Sequence, residues 1–347
     1  MKISRRKFGL SVLCGLGAAV TASRVPGARG AIMPGKEVAL LGQGNATPAL
    51  ADAIQTAFQT KQTTLLLPEG EFHFWPEGSS RRFLHVSNND DAENEIVALL
   101  DGAENLHIKG QNTRLIFHGR LTPFVLQNCS NVQLSDVVLD WEVPFHCEAT
   151  VISAAPDGGQ IELEIHPEFR FRVEQGQFYF SGEGFEQEGI KNILEFDAER
   201  KETRFQVWDN FFKVRTGEYR RKYHVTRLSD SRISIDLPEV LRSVPLVGNV
   251  VVIMPPDRLA PAIFVEDSDG VKIAGVTVHH SGCMGLICHT SSDIVFIDSA
   301  VVPSGDRLVS TTVVATHFVN CAGTIRIVNC DFSNHIDDAV NVHGIYV

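Results

Sequence analysis

The sequence predicts an all-β chain: a right-handed parallel β-helix with an N-terminal helical cap and an inserted antiparallel β-barrel. Three observations carry that reading. First, a short phrase recurs from about residue 95, in Asn105-Leu-His-Ile, Asn131-Val-Gln-Leu, Gly270-Val-Lys-Ile, Asp293-Ile-Val-Phe and Gly323-Thr-Ile-Arg-Ile. Within each block it returns after roughly 23 to 30 residues, the range in which repeats signal solenoids. Strands this short cannot bury an apolar face alone, so successive rungs must stack. Second, the phrase is absent between about 142 and 259, where strict alternation replaces it. Third, a single helical pattern precedes the repeats, in the position of a solenoid cover.

The elements follow in order. Residues 1–30 read as an export leader: Ser4-Arg5-Arg6-Lys7-Phe8-Gly9-Leu10 matches the twin-arginine pattern, and a mild apolar run from Leu10 to Val20 follows. The expected destination is the periplasm or the exterior. Residues 31–141 hold the cap and the first rungs. Pro48 opens a helix with apolar Leu50, Ala53, Ile54, Ala57 and Phe58 on one side, and Thr64 to Leu67 give a buried strand. Residues 142–259 are the expected barrel. Ile161-Glu-Leu-Glu-Ile, Phe169-Arg-Phe-Arg-Val and Ile233-Ser-Ile-Asp-Leu alternate with period two between Gly and Asp turns. Its basic run, Arg215, Arg220, Arg221 and Lys222, reads as a solvated face before it reads as an anion site. Residues 260–347 resume the helix.

Composition narrows function. The 347 residues are 44% hydrophobic, enough for a sizeable core, and carry a net charge of −11. That acidity argues against a nucleic-acid partner, since phosphate binding needs basic surface. No apolar run of about 18 residues follows the leader, so the mature chain is not expected to span a membrane. Seven cysteines include Cys14 in the leader, and three recur as Asn128-Cys129, Asn320-Cys321 and Asn329-Cys330. Their spacing fits no zinc site, and they read as interior filler at equivalent turns.

The last thirteen residues carry the chemistry: His335-Ile-Asp337-Asp338-Ala-Val-Asn341-Val-His343-Gly-Ile-Tyr-Val347. Neighbouring side chains on a strand face opposite ways, so Asp337 and Asp338 share a face only at a bend or bulge. A metal held by Asp337, Asp338 and His343 is disfavoured, because hard cations seek denser oxygen clusters. His280 and Met284, beside the Gly-rich corner Ser281-Gly282-Cys283, read as pocket wall or core, and His317 as site or satisfied core histidine.

Together with Ala315-Thr316-His317-Phe318-Val319-Asn320-Cys321 one rung earlier, this closing segment resembles the glycoside hydrolase family 110 α-galactosidases. The similarity runs from about residue 38 to the end. It implies a pectin-lyase-like solenoid and an exo-acting, inverting enzyme that removes terminal α-1,3-linked galactose from glycans without a cofactor. It also implies that Asp337 and Asp338 are catalytic, and that His280, Met284, His317, Asn341 and His343 contact substrate. The family pattern has an Asp two residues before the Thr-His matched by Thr316-His317, and here that position is Val314. A groove-facing Val314, one rung from Asp337, would leave the general base missing. A one-residue slip would instead turn it into the core. Polygalacturonase-like hydrolysis and a catalytically silent carbohydrate-binding β-helix are the alternatives. The chain is further expected to be truncated at Val347, where the helix stops without a cap.

Export through the twin-arginine route requires the arginine pair as an address, not as charge. Arg5→Lys with Arg6→Lys should therefore leave the precursor in the cytoplasm, followed by fractionation and blotting. Unchanged export would remove the leader reading.

Overall fold

A four-residue strand leaves both backbone edges and one apolar face open, and in this chain the neighbouring rung closes them. The structure is a computed structural model and describes residues 36–39, 44–89, 92–207, 210–212, 222–237, 241, 243–254, 257–258 and 260–344. The leader, Arg215, Arg220, Arg221 and Ile345 lie outside those residues.

Two parallel sheets form the helix. One pairs Thr64–Leu66, His107–Phe117, Gln133–Trp141, Lys272–Ala274, Ser292–Ile297 and Ala322–Val328 in that order. The other stacks Ala92–Asp101, Leu121–Gln127, Ile263–Glu266, Leu286–His289, Thr316–Val319 and Val340–His343. Inward residues of this second sheet, Leu126, Val265, Cys288 and Phe318, are fully buried in one column. On the outermost described strand Val342 continues that column and is 59% exposed.

The corners explain the recurring phrase. Asn105, Asn128, Asn131, Asp293, Asn320 and Asn329 all have φ between 52° and 54°, the left-handed conformation that Asn and Asp tolerate best. The residue after Asn128 is one of a stack: Cys129, Ser268, Ser291 and Cys321. Each turns its side chain onto the carbonyl two residues back, at 3.3, 2.8, 2.6 and 3.6 Å respectively. Ser268 and Ser291 also accept from the backbone N–H groups of Cys129 and Ser268, one rung away. The cysteines of this column act as serine equivalents rather than mere filler. The six described cysteines are all free.

The helix Thr47–Thr60 covers the first rungs with Leu50, Ile54 and Ala57, and Pro48 stands in its first turn. The insert leaves after Trp141. Phe124 pairs directly with Ile263 and Ser135 with Ala274, so the stack continues as though the intervening residues were absent. They form an eight-stranded antiparallel sheet, spanning Cys147 to Met254, and a three-stranded one over Arg170–Glu188.

Where the insert departs, Arg307 grips the last strand before it. Its Nη1 lies 2.6 Å from Asp140 Oδ1 and its Nη2 donates to the Trp141 carbonyl at 2.6 Å. Asp140 is buried and has this arginine as its nearest partner, with Ser304 and Arg114 further away. Arg307→Leu should cost about 2–3 kcal/mol, the range for hydrogen bonds to a buried charge. A thermal melt within about 1 °C of the native chain would show that the pair does not hold the junction.

Candidate active site

Register decides which side chains meet. Thr316 pairs with Val340, so counting back along both chains stacks Val314 on Asp338 and Val313 on Asp337. Asp337 and Asp338 lie at a bend just before the strand Val340–His343, and both are exposed. The Asp338 carboxylate accepts from Asn341 Nδ2 at 3.1 Å, and Asp337 Oδ1 accepts the Asp338 N–H at 3.1 Å. His335 Nδ1 lies 2.7 Å from the Asp337 carbonyl oxygen, which fixes the bend.

His317 stacks under Asn341, and its Nε2 lies 2.8 Å from Nε2 of His343. One ring must donate and the other accept. Nδ1 of His317 is enclosed and has no partner among the described residues. Leaving such a group unpaired costs about 1–3 kcal/mol. Burial pushes the His317 imidazole down to about 4, with the neighbouring His343, His289 and Arg258 adding to the effect against Asp338. Burial holds His289, the neighbour one rung back, at about 4 as well.

Two expected contacts are corrected by the packing. His280 is completely buried with both nitrogens committed: Nδ1 at 2.7 Å from the Ser310 carbonyl and Nε2 accepting from the Phe145 N–H at 2.9 Å. It braces the insert against the helix. Met284 is equally buried, in an apolar cluster with Cys283, Val313, Val314, Leu84 and Val86. Val314 belongs to that cluster at 3% exposure, so it does not face an open groove, although it does stack on an Asp. The stacked residue is Asp338, not Asp337. The cluster lies on the outer face of the second sheet, beneath the segment that follows Ser80–Leu84. Ser87 N–H donates to His289 Nε2 at 3.2 Å and Cys283 Sγ to Asn89 at 2.9 Å, pinning that cover down.

Arg258 was not singled out by the sequence. Its Nη1 donates to the Asn88 carbonyl at 2.9 Å, and its Nη2 stands 3.9 Å from Asp337 Oδ2, whose side chain is 51% exposed. The same arginine lines a cleft of about 600 Å³ between the first rungs and the insert, together with Trp75, His118 and Glu183. That volume lies within the usual range for small-molecule sites. The Asp pair and the cleft therefore share a side chain.

Residues 147–251 match the family model described as GLAA-B beta-barrel domain I. The α-1,3-galactosidase A of Shewanella woodyi is 36% identical over 304 residues, 87% of this chain and 49% of that protein. The α-1,3-galactosidase B of Bacteroides thetaiotaomicron is 28% identical over 305 residues, 86% of this chain and 48% of that protein. This chain is homologous to the α-1,3-galactosidases. It spans about half the length of the curated relatives it matches. Among solved structures, the A-module of an Azotobacter vinelandii mannuronan C-5 epimerase covers 84% of this chain and 57% of its own, with 9% identity. Its TM-score of 0.28 is too low to inform the site.

The two depressed histidines set an acid limit on stability. Unfolded, each takes up a proton near pH 6.5; folded, each resists until about 4. Between those values the unfolded chain binds more protons, so stability is full above about pH 6.5 and falls as pH drops toward 4. His289→Gln with His317→Gln should flatten the melting temperature against pH in that window. A slope equal to the native one would assign the acid loss elsewhere.

Proposed function

We propose that the chain carries the acid–base end of an exo-acting, inverting α-galactosidase that releases terminal α-1,3-linked galactose from glycans. The observation that carries the reading is the Asp337–Asp338 bend, with Asn341 on one carboxylate and Arg258 leading from the other into a cleft, in a chain homologous to α-1,3-galactosidases. In this mechanism a carboxylic acid gives its proton to the glycosidic oxygen. The bond from that oxygen to the anomeric carbon breaks, water adds from the opposite face, and a base accepts the proton of the water. Galactose leaves as the β-anomer. His317, held down to about 4 by burial and therefore neutral at pH 7, lies against His343 through Nε2 and suits positioning that ring better than proton transfer at that pH. On this reading the substrate is a glycan ending in α-galactose and the setting is periplasmic or extracellular.

Incubation with an α-1,3-galactosyl disaccharide, followed by proton NMR, tests both release and inversion. Asp337→Asn and Asp338→Asn should each lower turnover by about 100-fold or more, the scale of general acid–base catalysis, and melt close to the native chain. Native rates in both variants would remove the pair from the mechanism.

A second reading, a glycan-binding β-helix without turnover, is favoured by one observation: Val314, stacked on Asp338, has no group that accepts a proton. Binding without galactose release supports it. Val314→Asp then separates the two. Gain of release means that only the base was missing. Loss of folding, the outcome expected for a carboxylate placed among Met284, Leu84 and Val86, means that the position is structural here.

A further inference from the structure

The cleft has a built floor. Trp75 lies flat on His118, with ring centroids 4.0 Å apart and planes inclined by 13°. His118 is 5% exposed and held on both sides, by Glu183 at Nδ1 and by His73 Nδ1, 2.8 Å from its Nε2. The backbone of Trp75 is fixed as well. Its N–H donates to Asn45 Oδ1 at 3.0 Å, and its carbonyl accepts from Thr47 Oγ1 at 2.7 Å. The indole is thus covered by a braced imidazole, with His73 also stacked against it at 5.7 Å between centroids, and Trp75 lines the cleft. Holding the ring in advance removes the entropy cost of ordering it on binding.

The insert supplies one wall. Glu183 reaches His118 because Gly119 has no side chain; a Cβ there would stand 2.8 Å from the Glu183 carbonyl oxygen, at a φ of +75°. Glu93, Arg120 and Arg258 line the same space, and Arg258 approaches Asp337 to 3.9 Å. An apolar plate ringed by carboxylates and guanidinium groups matches a pyranose, which has a C–H face and a rim of hydroxyls. A lipid would strand those charges, and a phosphate would meet the carboxylates of Glu93 and Glu183.

We propose that Trp75, braced by His118 and walled by Glu183, is a sugar subsite that takes the hexose on the leaving-group side of the scissile bond. Its side of the bond rests on the galactosidase reading above; sugar binding as such does not. The step itself is unchanged: the leaving hexose receives the proton on its glycosidic oxygen and departs along the cleft.

Titration calorimetry of the native chain with methyl β-galactoside, repeated on Trp75→Ala and Trp75→Phe, tests the site. The alanine change should weaken binding at least about tenfold, and phenylalanine should restore most of it, because a flat aromatic face is what the sugar contacts. No binding by the native chain, equal binding by Trp75→Ala, or a phenylalanine variant as weak as alanine overturns the proposal. Placement is read from turnover: the ratio of kcat/KM on an α-1,3-galactosyl disaccharide to that on α-galactosyl fluoride, which has no leaving sugar, should fall about tenfold in Trp75→Ala. An unchanged ratio overturns the leaving-side assignment. If the native chain releases galactose from neither substrate while its glycoside binding depends on Trp75, the hydrolase reading fails and the sugar site stands.

Discussion

Parallel pairing between rungs is the constraint from which the rest of this molecule follows. Hydrogen bonds to the strands on either side fix register, and register turns residues far apart in the chain into neighbours about 4.8 Å apart. Leu126, Val265, Cys288 and Phe318 become one buried column this way, and Gln127, Glu266, His289, Val319 and His343 become another on the opposite face. Because the pairing of Phe124 with Ile263 is complete in itself, more than a hundred residues can depart and return without opening the stack. The insert is then free to reach over the first rungs, which is how Glu183 comes to meet His118.

A stack also makes two demands, and both shape the candidate site. Corners must turn sharply at every rung, and Asn or Asp in left-handed conformation, followed by Ser or Cys bonded to its own turn, meets that demand repeatedly. The outer face of the second sheet is apolar where Val125, Phe264 and Ile287 project, and it needs a cover. Leu84 and Val86 provide it, anchored through Ser87, Asn88 and Asn89 to His289, Arg258 and Cys283. Beyond it the Asp pair is exposed and Asn341 half-buried, while His317 beneath Asn341 is buried. Polar groups therefore gather where the apolar packing ends.

Val314 stands on that border. It occupies the column of Asp338 but packs with the covered cluster, so its side chain belongs energetically to Met284 below rather than to the carboxylate above. A single column thus contains both the argument for catalysis and the argument for a binding role.

The sequence by itself determined the solenoid period, the interruption between 142 and 259, the capping helix that starts at Pro48, and the Asp pair at a bend. Each of these is local: repeat length, alternation and turn residues leave their mark within about thirty positions. Tertiary structure alone decided that His280 is a brace, that Val314 lies under a roof, and that Arg258 joins Asp337 to the cleft. It alone set Trp75 on His118 and brought Glu183 to that ring. These contacts join residues 43 to more than two hundred positions apart, and nothing in the neighbourhood of either partner records the other. Period fixes which rung a residue belongs to; only the packing of cover and insert against those rungs fixes what its side chain meets.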